Sequence, residues 1–436
     1  MAHSIFFGQS DGPAGPTLFG IRDADIFRHT YVIGASGAGK STLLQNILAQ
    51  EILGGEGCGV IDPHGDLARA VLALVPRRRT SDTVLIDLAD RDFPVAFNPL
   101  YRVPPERRAL IAANLVAAFK HIWSASWGPR LEYILTNALL TLLDAPDRAR
   151  PTLLALPRLL TDRAYRTWLL RHVRDPRVSA FWRDEFDRYS DRLMAEALSP
   201  IQNKIGAFLA APAIRNIVGQ WRSQVDLAAV MNQGGILVVN LARGLVGAEP
   251  ANLMGALIVS MIQSAAMARI ERPEADRRGF HLAIDEFGYV TSTAFIDILA
   301  ESRKVRLAVT LGHQHLAQVD ELVAAAVLAN AGTMISFRIG ADDARRIAPF
   351  LGEVAPTMLT DLQRGEAWAR ISPVAGVPTC HLLKTFAPLN GPAARAAKVI
   401  RVSRSRLTCH REQVEPRIAG WLQGESRVSW SSSLAR

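Results

Sequence analysis

Cysteine is scarce in this 436-residue chain: Cys58, Cys380 and Cys409 are the only three, and no two of them have metal-ligand spacing. That excludes a disulfide framework and fits a reducing, cytoplasmic setting. Long hydrophobic runs are also missing. The longest, Asn252 to Ile270, is interrupted by Asn252, Ser260, Gln263, Ser264 and Arg269, so it reads as a buried amphipathic helix and no membrane span is expected. The opening MAHSIFFGQSDGPAGP has no basic stretch followed by an apolar segment, which excludes a visible secretory signal; it reads as an edge strand. No solenoid or propeller repeat recurs. Hydrophobic residues at 49% and charged residues at 21% exclude extended disorder, and the length has room for more than one domain. Fifty Lys and Arg against 41 Asp and Glu leave a net charge of +9, which permits an anionic partner such as nucleic acid.

From His29 to Val60 the order is strand, glycine loop, helix, loop, strand, the opening of a βαβ unit. Short apolar runs ending in polar residues recur at 83–88, 235–241, 281–286, 306–312 and 333–340. With helical stretches between most of them, they predict an α/β fold with a mostly parallel sheet covered on both faces. EAWARI and CHLLKTF, joined by SPVAGVPT, predict a hairpin on one edge. Between Pro104 and Gln224 the period is helical and broken by prolines, an all-α insertion. The expected division is residues 1–103 and 229–390 for the α/β domain, 104–228 for the insertion, and 391–436 for a basic, partly disordered tail.

Gly34, Ala35, Ser36, Gly37, Ala38, Gly39, Lys40 and Ser41 match G-x-x-x-x-G-K-[ST], between a strand and a helix that continues with Thr42. In that setting backbone N–H groups curl around phosphate oxygens and the helix N-terminus adds positive potential. Lys40 reaches the β- and γ-phosphates of ATP, and the Ser41 hydroxyl ligates Mg²⁺. A glycine turn that merely precedes a lysine is the bland alternative, and the strand–helix context disfavours it.

Such a site needs an acidic residue at the end of a neighbouring strand, and HLAIDE supplies Asp285 for the Mg²⁺ shell and Glu286 to polarise the attacking water. An ordinary helix cap is the alternative for this pair. Asp62 and Asp87 also end strands and compete for a place near the site. Gln314 ends the next strand, at the ligand crevice of an open α/β sheet. Flanking His313 and His315 point oppositely along a strand and make no metal pair, and Cys380-His381 and Cys409-His410 have no ligand spacing.

HTYVIGASGAGKSTLL, GVIDPHGDL, GGILVVNLARGLVG, HLAIDEFGYV, SRKVRLAVTLGHQHLAQ and NAGTMISFRIGADDARRIAPFLG, in this order, resemble the FtsK/HerA superfamily of P-loop ATPases. Within it they are most similar to conjugative coupling ATPases of type IV secretion, of the VirD and TraG/TraD type, over roughly His29 to Thr385. The resemblance implies a RecA-like motor that assembles as a hexameric ring and moves DNA through a channel. It also implies Gln314 as γ-phosphate sensor and a trans-acting arginine finger, with Arg303 the first choice and Arg338 the second. A relaxase and secretion-channel proteins are the implied partners. Two departures concern the N-terminus: the transmembrane helices of anchored coupling proteins are not readable, and the residues before His29 are too few for the β-barrel of HerA-type translocases. An ATPase energising protein export, a HerA-like repair translocase and a nucleotide-dependent docking protein are the competing readings. Basic residues in the insertion and around Arg243–Gly247 are the candidates for following a DNA backbone.

Overall fold

The computed structural model describes residues 4–12, 15–290 and 295–423. They form two compact units, one made of Met1–Asp87, Ala113–Ser124 and Asp226–Ser403, the other of Leu88–Ala112, Ala125–Val225 and Arg404–Arg436.

The first unit is built on one eleven-stranded sheet. Its strands are β1 (Ser4–Gly12), β2 (Gly15–Arg22), β3 (Thr30–Ile33), β4 (Gly57–Asp62), β5 (Thr83–Asp87) and β6 (Ile236–Asn240). They continue with β7 (Phe280–Ile284), β8 (Leu307–His313), β9 (Thr333–Ser336), β10 (Glu366–Ile371) and β11 (Thr379–Thr385). The order across the sheet is β2-β1-β11-β10-β9-β3-β8-β7-β4-β6-β5. From β9 to β5 all neighbours are parallel, and from β9 to β2 all are antiparallel. Strands β3, β4, β7 and β8 are buried throughout, which is why they read as continuous apolar runs rather than alternating ones.

The β10–β11 hairpin departs from the sequence reading by lying inside the sheet, between β9 and β1, rather than on an edge. The reason is the N-terminal hairpin of β1 and β2, which adds across β11 in the register Gly8↔Thr385 and makes β2 the edge. One core layer joins Leu43, Leu44, Ile47 and Leu48 of the helix Lys40–Gly54, and Leu67, Val71 and Leu72 of Asp66–Leu74, to Val32, Val60, Val238 and Ile335 of the sheet. Ala396 and Val399 join the same layer, so much of the segment expected as a tail is the helix Ala393–Leu407. Its Arg395 donates to the carbonyls of Val75 and Pro76, and its Ser403 hydroxyl accepts the Leu85 N–H at 3.1 Å. Residues 424–436, the end of that expected tail, lie outside the described residues.

The second unit is helical, with Pro129–Asp144, Ala155–Thr161, Asp191–Ala210 and Arg411–Leu422 among its helices. It starts earlier than the expected insertion, at Leu88, and takes in Arg404 onward. Trp182 is fully buried in it, donates from its indole to the Thr141 hydroxyl at 2.8 Å, and meets Phe181 and Phe186 edge-on. Arg166 is buried beside it, paired with Asp187 at 2.7 Å and donating to the Leu159 carbonyl. Ser190 and Asp162 cap the helices that follow them. Among the described residues one helix, Ala248–Glu271, is long and apolar enough to cross a membrane, and it is mostly buried within the protein.

Candidate nucleotide site

Parallel strands in register bring their carboxyl ends to one edge. Ile33 is opposite His313, Leu311 opposite Ile284, Ile284 opposite Ile61, and Asp62 opposite Asn240. The residues just past those positions, Gly34, Gln314, Asp285 and His64, therefore meet in one crevice although they come from distant parts of the chain.

The loop Gly34–Ser41 leaves β3 and enters the helix Lys40–Gly54. Gly37 (φ 74°) and Gly39 (φ 131°) take conformations that a side chain disfavours, and these let the backbone curl. Lys40 is buried, and its Nζ donates to the Gly34 carbonyl at 2.7 Å and lies 3.7 Å from Glu286 Oε1. Ser41 Oγ donates to Asp285 Oδ2 at 2.9 Å. Thr42 follows in the first turn, half-buried, while Ser36 and Gly37 are exposed at the loop tip.

Glu286 sits in the left-handed region (φ 47°, ψ 51°), a strained backbone for a side-chain-bearing residue and one that recurs at functional sites. Its Oε2 is buried without a hydrogen-bond partner. Burial pushes Glu286 above the usual carboxylate range, against the attraction of Lys40 and a hydrogen bond from the Gln314 side chain. Burial also raises Asp285, with Asp62 adding to the rise and the Ser41 hydrogen bond and Lys40 opposing it. The same burial lowers Lys40, against both carboxylates. A cation and two carboxylates are thus held together in a poorly solvated place, with the Ser41 hydroxyl at its exposed mouth. Such a donor set fits a triphosphate with a hard divalent cation, whose charges would complete it.

The other sequence candidates divide. Asp62 is spent on its own turn, accepting the N–H groups of His64 and Ala68, and reaches the site only through its field on Asp285. Asp87 is held by Asn240 Nδ2 at 2.8 Å, near the neighbouring strand ends. His313 is buried with Nδ1 against the Tyr31 hydroxyl, whereas His315 is exposed. Arg303 is exposed in the turn before β8, and seven residues at roughly 3.3 Å each put it about 23 Å from the end of that strand. It stands at the opposite end of the sheet from its own phosphate loop. Arg338 is exposed beside that loop, and its carbonyl accepts the Ala35 N–H at 2.7 Å. Arg243, a candidate for DNA, lies over the Tyr289 ring at 4.3 Å and donates to Asn252.

Sequence reasoning passed over Phe337 and Asn240. Asn240 closes the turn after β6 by accepting the Ala242 N–H while holding Asp87. Its only sequence signal was a polar residue ending an apolar run.

Residues 21–360 match the family described as the type IV secretion-system coupling protein DNA-binding domain. Among solved structures, the bacterial conjugative coupling protein TrwBdeltaN70 aligns with a TM-score of 0.63 at 16% identity, covering 88% of this chain and 91% of that one. Plasmid coupling protein TrwB in complex with ADP and Mg²⁺ gives 0.62 at 16% identity, with 85% and 89% covered. VirB4 of Thermoanaerobacter pseudethanolicus gives 0.57 at 16% identity, with 88% and 96% covered. No curated protein sequence matches the chain. The fold is therefore the RecA-like P-loop architecture with an all-α unit, and the chain belongs to the type IV secretion-system coupling protein DNA-binding domain family, within the FtsK/HerA superfamily.

Proposed function

We propose that this protein is an ATP-hydrolysing motor that moves DNA for conjugative transfer, working as a hexameric ring on the cytoplasmic side of a secretion channel. The observation that carries the reading is the cluster of buried Lys40, Asp285 and Glu286, with exposed Ser41 bonded to Asp285 and Gln314 joined to Glu286. A scaffold that only binds nucleotide has no need of a carboxylate with a free buried oxygen beside the phosphate loop.

ATP and Mg²⁺ are the implied ligands, in keeping with the TrwB complex with ADP and Mg²⁺. Bound Mg²⁺ supplies charge neutralisation on the phosphate oxygens. Lys40 would leave the Gly34 carbonyl and Glu286 to bind the terminal phosphates. Ser41 would ligate the metal directly and Asp285 would hold its water shell. Glu286 Oε2, buried and unpartnered, would accept a proton from the attacking water, with Gln314 orienting that water against the γ-phosphate. Arg303 would act as finger in a neighbouring subunit's site, since it is far from its own. Exposed Arg338 is the alternative. The helical unit would recruit a relaxase or channel protein.

The test is steady-state ATP hydrolysis with and without single- and double-stranded DNA at two salt concentrations, beside Lys40→Ala and Glu286→Gln. Stimulation by DNA that weakens with salt and vanishes in both variants supports the motor. Hydrolysis indifferent to DNA moves the reading to protein export, and absence of hydrolysis to nucleotide-dependent docking.

A further inference from the structure

Phe337, just past β9, is completely buried and has no polar atom to offer a nucleotide, yet it touches the phosphate loop at both ends. A Cβ placed on Gly34 would stand 2.6 Å from Phe337 Cβ, and one on Gly39 would stand 2.9 Å from its Cε1. Gly34 lies outside the left-handed region, so its lack of a side chain answers to Phe337 rather than to backbone conformation. The backbone on each side is tied to the same place. Phe337 N–H donates to the Ile33 carbonyl at 2.9 Å, and the Arg338 carbonyl accepts the Ala35 N–H at 2.7 Å. Across the loop, Gly365 N–H donates to the Ala38 carbonyl at 3.0 Å.

We propose that Phe337 is a positioning residue of the nucleotide site, its ring wedged against Gly34 and Gly39 so that the loop is curled before nucleotide arrives. A glycine-rich loop released from such a brace samples many conformations, and ordering it on binding costs affinity. Once nucleotide is bound the loop is held by the phosphates themselves. Phe337 therefore sets nucleotide affinity and leaves the chemical step, run by Glu286 and Gln314, unchanged. The proposal rests on the nucleotide-binding reading of the loop.

The experiment measures MgADP affinity by calorimetry and ATP turnover for the full chain, its Phe337→Ala and Phe337→Met variants, and Phe7→Ala. Phe7 is equally buried in the same core cluster and is not among the atoms nearest a Cβ placed on Gly34 or Gly39, so its variant controls for general destabilisation. Phe337→Ala is expected to raise the MgADP Kd and the KM for ATP by about tenfold while kcat stays within about twofold. Phe337→Met, close in volume, restores affinity to within about threefold, and Phe7→Ala leaves it unchanged. Equal loss in Phe337→Ala and Phe7→Ala, a fall in kcat without a rise in KM, or wild-type affinity in Phe337→Ala overturns the proposal. Should Phe337→Ala fail to fold, Phe337→Leu decides. It shortens the ring edge at Gly39 and is expected to raise Kd at least about threefold, and unchanged affinity there counts against the brace. A wild-type chain that does not bind MgADP removes the nucleotide reading and the proposal with it, whereas intact wild-type binding isolates the failure to Phe337.

Discussion

Ser41 and Asp285 are 244 residues apart in the chain, and the hydroxyl of one donates to the carboxylate of the other at 2.9 Å. The contact joins the start of the helix after the phosphate loop to the end of β7, the two points between which a divalent cation would sit. In the proposed role Asp285 would act on the metal through its water shell, so Asp285→Asn is expected to lower Mg²⁺-dependent ATP hydrolysis by about 10- to 100-fold. Nucleotide binding in EDTA should be nearly unaffected. Equal losses with and without Mg²⁺ would contradict this role.

Lys40 and Glu286 neutralise each other in a buried place, 3.7 Å apart. Their removal has different consequences. Lys40→Ala takes away the group proposed to meet the phosphates and should abolish detectable ATP binding by calorimetry. Glu286→Gln keeps the shape of the site and the charge of Lys40, so ATP should still bind while turnover falls by roughly 100- to 10,000-fold. A Glu286→Gln enzyme with ordinary turnover would assign the base elsewhere.

The pH dependence has a definite sign. Glu286 must be ionised to accept a proton, and burial raises its pKa above the ordinary glutamate range. Hydrolysis should therefore fall as pH falls through that raised value, with an acid limb displaced toward neutrality, seen as kcat/KM followed between about pH 5 and 8. An acid limb at or below the usual carboxylate value would mean that Glu286 is not the group titrating.

Two buried histidines make stability depend on pH independently of catalysis. Burial lowers His29 to about 4 and His313 to about 3. Both are neutral in the folded chain and take up protons near 6.5 once unfolded, so stability is full above the unfolded value and declines below it. At pH 5 each is expected to cost about 2 kcal/mol relative to neutrality, measured as the change in urea midpoint and slope. His313→Asn should flatten that dependence, and an unchanged pH profile in the variant would sink the assignment.

Trp182 is fully buried in the helical unit, and its replacement by Ala should destabilise that unit by about 3–5 kcal/mol through a cavity and the lost bond to Thr141. Calorimetric melting of the full chain is the measurement. A melting profile identical to wild type would show that the aromatic cluster does not hold the unit together.

Much of the site could be read in the chain because its parts are local. Gly34 to Ser41 lie between one strand and one helix, and Asp285 and Glu286 end one apolar run. The order of their motifs also carried the resemblance to coupling ATPases, which the family match over residues 21–360 supports. What was not readable depends on neighbours. Asp62 and Asp285 end similar runs, and only the hydrogen bonds of Asp62 to His64 and Ala68 withdraw it from the metal position. Arg303 and Arg338 rank first and second as fingers without a position for either in the sequence; one stands at the far end of β8 and the other beside its own phosphate loop.

The N-terminal hairpin shows the same limit from the side of the fold. Gly15–Arg22 has no clean alternation of apolar and polar residues, because as the edge strand it buries only Ile21, so the position of β10–β11 inside the sheet could not be foreseen.

The linear order of residues determined the phosphate loop, the acidic pair and the βαβ beginning, since glycine conformation, helix polarity and apolar runs act within a few residues of one another. Tertiary structure decided that Asp62 is spent on its own turn, that Arg338 and not Arg303 stands beside its own phosphate loop, and that Phe337 packs against Gly34 and Gly39. Those outcomes follow from strand order and register, which join residues hundreds of positions apart by packing and hydrogen bonding.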